Sequence, residues 1–232
     1  MSKIKNIVDA YNLLVKGIEQ KANEDENRAY GGIIRAGKGL MVESITKLLL
    51  EVAWEELGGE PERISFEKTT KKLPIKKEYI DKIENQDVKE FMLENIESYY
   101  YTLKTDVHCC IDKNLIIGVE CKAYTENAMI KRILVDFTLM KHAWKDLNCF
   151  LLQLESQLGG DYSNLNSTTT FGSKSTHTLF SYFDVNIEIL TLLKGERKVN
   201  KAIHKAEFFK EIDEEHLKLV VEKFKKVLIK YK

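Results

Sequence analysis

Residues 114–124 read NLIIGVECKAY. Leu115, Ile116, Ile117 and Val119 surround a single glycine, which is how a strand buried on both faces begins. The stretch then sets a carboxylate, a thiol and an ammonium in a row at Glu120, Cys121 and Lys122. Charges at the end of an apolar strand cost free energy unless something pairs with them. Glu120 and Lys122 therefore require partners in the fold.

Just upstream, residues 99–111 (YYYTLKTDVHCCI) are β-branched and aromatic, and Asp112, Lys113 and Asn114 form a turn-like triplet before the buried strand. This is a hairpin. Folding it about Lys113 sets Asp106 opposite Glu120, and directly opposed residues of an antiparallel pair share a face. The period of two adds Lys122 and His108 to that face. Two carboxylates side by side repel, and one pKa rises, unless a cation lies between them. A divalent metal is the economical explanation. Mg²⁺ is typically held by one or two carboxylates and completes its octahedron with waters and substrate phosphate oxygens. An ammonium at Lys122 is placed to stabilise a nucleophilic hydroxide and the charge that builds on phosphorus. The E-x-K spacing alone is a poor signal in so charged a chain, since it recurs at Glu19 to Lys21 and Glu196 to Lys198, with D-x-K at Asp87 to Lys89. Those copies sit in helical or polar context, and the copy at 120 ends a buried strand.

Further out, residues 3–22 and 40–57 have helical spacing, the second with Ile45, Leu48, Leu49 and Val52 on one face, opened by RAGKG and closed by Gly58 and Gly59. Residues 60–75 hold both prolines and read as a connector, and 76–98 as a charged helix. After the hairpin, 127–146 returns to helical spacing and 149–155 (CFLLQLE) is strand-like. Residues 159–175 form a polar loop, 176–190 read as a strand, 194–205 is a basic stretch, and a final amphipathic helix rests on Leu217, Val220, Val221, Phe224 and Leu228. The class is α/β, in one domain spanning 1–232.

The segment TDVHCCIDKNLIIGVECKAY (105–124) resembles the catalytic hairpin of the PD-(D/E)xK nuclease superfamily, and the order of elements over about 40–155 is similar to its αβββαβ core, a mixed central sheet flanked by helices. The resemblance implies Asp106 and Glu120 as metal ligands, Lys122 as the catalytic lysine and a metal contact through the backbone carbonyl of Cys121. It also implies a helical glutamate near the metal, for which Glu43 stands first and Glu51 and Glu56 compete. The family's proline before the aspartate is Thr105 here, and Asp112 is the other carboxylate that the hairpin offers. Within the superfamily the chain looks like a type II restriction endonuclease: a Mg²⁺-dependent enzyme, accepting Mn²⁺, that cleaves double-stranded DNA as a homodimer beside a cognate DNA methyltransferase. The segments at 156–232 are then expected to carry recognition. Lys174 in the loop 160–176 and Arg197 in the basic stretch are the DNA-contact candidates there, joined by Arg35 and Lys38 at the entrance to the second helix. The alternatives are a structure-directed nuclease of repair or recombination and a non-catalytic DNA-binding protein on the same fold.

Composition sets the outer limits. An apolar fraction of 44% is ordinary for a globular protein, and Lys plus Arg equal Asp plus Glu at 36 each, so net charge neither announces a nucleic-acid binder nor excludes one. Cys109, Cys110, Cys121 and Cys149 have no zinc or disulfide spacing and read as reduced thiols of a cytoplasmic protein. Asp9 and Lys16 occupy positions where a signal peptide needs an apolar centre, and no apolar run is long enough to span a bilayer. A nucleotide-binding loop is excluded at 37–39, where Lys38 is followed by Gly39 rather than Ser or Thr.

Overall fold

The computed structural model describes residues 3–24, 28–66, 70–165, 173–201, 203 and 205–232. The predicted loop at 160–176 and basic stretch at 194–205 each lie partly outside the described residues, at 166–172 and at 202 and 204.

The central sheet grows from the hairpin. Strands β4 (Val107–Ile111) and β5 (Asn114–Glu126) pair antiparallel through a turn in which Asp112 and Lys113 both adopt positive φ, 49° and 67°. That conformation matches the strand twist but costs a non-glycine residue about 1 kcal/mol. Asp112 gains compensation from Arg63, whose Nε and Nη2 donate to its carboxylate at 3.0 and 2.8 Å. At the tip the register runs Ile111 to Asn114 and Cys110 to Leu115; a bulge then intervenes, and Cys109 meets Ile117, His108 meets Gly118 and Val107 meets Val119. Carried on without the bulge, the turn's register would set Asp106 opposite Val119 and turn Glu120 to the other face. A two-residue turn plus a bulge thus reproduces the register expected from a fold about Lys113.

Strand β1 (Ile64–Ser65) borders β4 antiparallel. On the other side β6 (Asn148–Gln157) runs parallel to β5, and β7 (Ile187–Thr191) runs parallel to β6, so the sheet is mixed with order β1-β4-β5-β6-β7. The parallel step needs a crossover, supplied by helix α5 (Asn127–Ala143), which starts directly after β5. A separate two-stranded ribbon pairs β2 (Lys71–Pro74) with β3 (Tyr100–Leu103).

Each face of the sheet carries its own core. On one, Val107, Cys109, Ile117, Val119, Cys121, Phe150 and Leu152 pack under helices α1 (Lys3–Glu24), α2 (Arg28–Glu56) and α7 (Glu214–Leu228). On the other, Cys110, Leu115, Cys149 and Leu151 meet Ile130, Ile133, Leu134, Phe137 and Met140 of α5. The alternation along β4, β5 and β6 is that of strands covered on both sides. Helix α7 is specified throughout: Asp213 caps it by accepting from Glu215 N at 3.0 Å, Glu214 and Glu215 sit in its first turn, Lys225 and Lys226 sit in its last, and Leu217, Val220, Val221, Phe224 and Leu228 are buried.

Several boundaries differ from the sequence expectation. The second helix does not open at 40; α2 begins at Arg28, so Arg35, Gly37, Lys38 and Gly39 lie inside a helix rather than in a glycine-rich entrance. Packing on α1 and α7 stabilises a helix that isolated glycines would weaken. The charged helix at 76–98 is two, α3 (Lys77–Ile80) and α4 (Gln86–Glu94), with Asn85 capping the second. Residues 176–190 are not one strand, because helix α6 (Lys174–Phe180) precedes β7. The run from Tyr99 is broken at 104–106, so β3 leaves for the ribbon and Asp106 stands at the foot of β4.

Candidate active site

The break before β4 is held by its own residues. The Thr105 backbone N–H donates to His108 Nε2 at 3.0 Å, and the Thr105 hydroxyl donates to the Val107 carbonyl at 3.1 Å. His108 is fully buried, so this is a packed, hydrogen-bonded imidazole that fixes the turn carrying Asp106. Asp106 is fastened from the other strand, its Oδ2 accepting from the Cys121 N–H at 2.9 Å.

Lys122 closes the constellation. Its Nζ lies 2.7 Å from Asp106 Oδ2, 2.5 Å from Glu120 Oε2 and 3.2 Å from the Cys121 carbonyl. Glu120 is the most enclosed of the three, its side chain 8% exposed against 20% for Lys122 and 29% for Asp106. Burial pushes the Glu120 carboxyl up to about 7, Lys122 opposes the rise and Asp106 adds to it. For Asp106, burial also raises, but the hydrogen bond and charge of Lys122 and the Cys121 N–H outweigh it and hold the carboxyl below its ordinary value. Burial would lower the Lys122 ammonium, but Glu120 and Asp106 together hold it above its ordinary value. Two carboxylates around one cation thus settle unequally.

The donor set around that ammonium is a carboxylate from each strand and one backbone carbonyl, all oxygen. Oxygen ligands of this kind suit a hard divalent cation, so the residues fit the metal that the sequence implies, with the ammonium standing at the shared point. Among the described residues, no group of three or more His, Cys, Asp or Glu side chains is arranged to hold a metal ion. The other sequence candidates fall around this centre. Glu43 is half-buried on α2, which packs on the opposite face of β5, and its charge helps to raise the Cys121 thiol. Cys121 itself points to that face, with Sγ 3.3 Å from Thr46 Oγ1. Glu56 pairs with Lys225 at 3.2 Å, and Asp112 is taken by Arg63 at the hairpin tip. The four cysteines are unbridged and buried.

A second charged cluster lies farther along β5 and β6. Glu155, 3% exposed, has Lys210 Nζ at 2.9 Å and Arg197 Nε at 4.0 Å. The Arg197 guanidinium stacks 3.8 Å over the Tyr124 ring and donates to Gln157 Oε1. Lys38 is buried nearby: burial pushes its ammonium down to about 8, Glu155 opposes the fall and Arg197 adds to it. Tyr11 donates to the Lys210 carbonyl at 2.8 Å. The structure thus brings Lys38 and Arg197 together. Lys174 stands apart, exposed at the start of α6, and the side chain of Arg35 lies outside the described residues. Sequence reasoning missed Gln153 and Glu155; the available signal was two polar residues at alternate positions in the otherwise apolar stretch 149–155 of β6. Nothing near Lys210 in the sequence marks it.

Along 224 residues the chain is 46% identical to the type II restriction enzyme DdeI of Desulfomicrobium norvegicum, a match covering 94% of this chain and 93% of that protein. The chain belongs to the DdeI family of type II restriction enzymes. No protein-family profile matches it. Among solved structures, a chain of the native BbvCI A2B2 tetramer is similar with a TM-score of 0.38 at 15% identity, over 72% of this chain and 57% of that one. No helix among the described residues is long and apolar enough to cross a membrane.

Proposed function

We propose that this type II restriction endonuclease hydrolyses double-stranded DNA at the Asp106, Glu120 and Lys122 centre, as a PD-(D/E)xK enzyme dependent on Mg²⁺, with Mn²⁺ as a substitute that the same oxygens accept. The observation that carries this reading is the convergence of Asp106 Oδ2, Glu120 Oε2 and the Cys121 carbonyl on one cationic point. The order α2, β1, β4, β5, α5, β6, with β2, α3, α4 and β3 inserted between β1 and β4, supports the αβββαβ core.

In this reading Asp106, Glu120 and the Cys121 carbonyl would hold the cation; Glu43, the helical carboxylate that the resemblance implies, stands on α2 across β5 from them. When bound, the cation supplies Lewis-acid stabilisation of the phosphoryl oxygens and lowers the pKa of the attacking water. The Thr105 and His108 hydrogen bond keeps Asp106 at the foot of β4. Lys122 orients the water and places positive charge beside it as negative charge develops. In-line displacement then leaves 5′-phosphate and 3′-hydroxyl ends. Lys38, Lys174, Arg35 and Arg197 contribute to DNA contact. The guanidinium of Arg197, stacked on Tyr124, suits a phosphate better than a base edge. A homodimer matches the two-fold symmetry of a palindromic site, and a cognate methyltransferase would protect host DNA in the same cytoplasm.

Incubation of the purified protein with phage DNA tests the reading, with Mg²⁺ and with chelator, beside Glu120→Ala and Lys122→Ala. Discrete Mg²⁺-dependent fragments are expected, with rates at least about 100-fold lower in both variants. Fragments that persist in chelator, or in both variants, would move the chemistry elsewhere. Family membership favours restriction over a structure-directed nuclease, which would give no discrete fragments from plasmid DNA.

A further inference from the structure

In the structure the Lys122 ammonium sits between Asp106 and Glu120, on the Cys121 carbonyl, and the metal-dependent reading assigns the same three oxygens to a divalent cation. An ammonium and a divalent cation repel each other in one oxygen cage. Lys122 must therefore have a second station from which it still reaches the attacking water. Resting on that metal-dependent reading, we propose that the second station is Gln153: its side-chain carbonyl receives the Lys122 ammonium, which makes Gln153 a positioning residue for the catalytic lysine.

Register supports this assignment. Lys122 and Gln153 are direct partners in the parallel ladder of β5 and β6, so their side chains leave the sheet on the same face. Strand β4, with Asp106 at its foot, borders β5 on one side, and β6 borders it on the other. Lys122 thus has an acid on one flank and an amide on the other.

The condition of the amide is the second observation. Gln153 is fully buried, and its Nε2 is committed to Thr191 Oγ1 of β7 at 2.9 Å. Its Oε1 is buried and has no hydrogen-bond partner among the described residues. A buried, unpaired carbonyl oxygen costs about 1–3 kcal/mol, and a cation is the partner that relieves it best. Thr191 is itself held, its carbonyl 2.7 Å from His216 Nε2 of α7, so the amide is anchored from behind. The other nearby acceptor is Asp136 of α5, whose carboxyl is raised by burial and drawn back by Arg132 and Lys122. Arg132 pairs with it at 4.0 Å.

The test reads metal binding without DNA. Mn²⁺ is titrated calorimetrically into the full-length wild-type protein, Lys122→Met, Gln153→Leu and the double variant, with thermal melting to verify folding. Removing the resident ammonium in Lys122→Met should tighten Mn²⁺ binding several-fold. Removing its destination in Gln153→Leu should weaken binding by roughly tenfold, and Gln153→Glu, which keeps an acceptor, should restore it. In the Lys122→Met background the Gln153→Leu change should have no effect, because no ammonium is left to receive. A purely structural Gln153 would weaken binding equally in both backgrounds, which would overturn the inference and leave the metal reading standing. Coupling to Asp136→Asn instead of Gln153→Leu would overturn it as well. Binding in none of the proteins would remove the metal reading itself.

Discussion

Two buried charge clusters occupy neighbouring stretches of the same two central strands, and they are built in opposite ways. The first takes Asp106, Glu120 and Lys122 from one hairpin, with Asp106 and Lys122 only sixteen positions apart, and gathers two carboxylates around one ammonium. The second takes Lys38 from α2, Glu155 from β6, and Arg197 and Lys210 from the chain after β7, and gathers three cations around Glu155, with Asp161 also within the field of Lys210. The first is short of positive charge and is completed by a cation. The second ties distant segments together through Glu155 and through the bond from Tyr11 to the Lys210 carbonyl. Burial of charge is common to both, so burial alone does not mark a catalytic centre. What separates them is the sign of the imbalance and, in the first, the convergence of three oxygen donors on one lysine.

Stability and activity should therefore respond in opposite senses. Glu155→Gln leaves Lys210 and Arg197 without their shared carboxylate and should lower folding stability by roughly 3 kcal/mol, measured by urea denaturation. Cleavage by the folded fraction should stay within about tenfold of wild type. In Glu120→Ala the pattern inverts, with cleavage lost and the urea midpoint nearly unchanged. If Glu155→Gln abolishes cleavage while its urea midpoint holds, the two clusters form one site and the contrast fails.

A smaller effect tests how the first cluster is held. His108→Ala removes the acceptor of the buried Thr105 N–H and should cost roughly 2 kcal/mol of stability. Asp106, no longer fixed at the foot of β4, should lose about tenfold in cleavage rate at saturating metal. Unchanged cleavage in a measurably destabilised variant would show that the Cys121 N–H and the Lys122 ammonium suffice to hold Asp106.

The two clusters also differ in how far the sequence reveals them, and the reason is contact distance along the chain. A hairpin converts sequence spacing into spatial pairing by a rule of period two, so Asp106, Glu120 and Lys122 follow from NLIIGVECKAY and the strand before it. Even there the expected register was reached by another route, a two-residue turn corrected by a bulge between Cys109 and Cys110. The cluster around Glu155 depends on where α2 and the chain after β7 dock, which no local period encodes. Lys210 consequently has no local signal, and Lys38 reads from the sequence as part of a helix entrance that lies inside α2. The strand expected at 176–190 differs for the same reason: Leu179 and Phe180 of α6 pack against the α5 side of the sheet, and tertiary packing overrides the local preference for strand.

Lys38 gives the finest test of the contrast, because its proton reports what the second cluster costs. Its ordinary value is 10.5, and burial, opposed by Glu155 and assisted by Arg197, pushes it down to about 8 in the folded chain. Above pH 10.5 the side chain is neutral in both states and burial carries no charge penalty. Between 10.5 and 8 the unfolded chain holds a proton that the folded chain does not, so stability rises with pH across this window. Below 8 both states are charged, and the full penalty of burying the ammonium remains. Lys38→Met removes that penalty and should stabilise the protein at pH 7 by about 1–2 kcal/mol. The advantage should shrink as pH climbs from 8 to 10.5, and the urea midpoints of variant and wild type should converge. A variant that is less stable at pH 7, with the deficit closing as pH rises, would mean that Glu155 stabilises the Lys38 charge by more than burial costs it. The second cluster would then be a net ion-paired centre like the first, and the sign of its imbalance would cease to distinguish them.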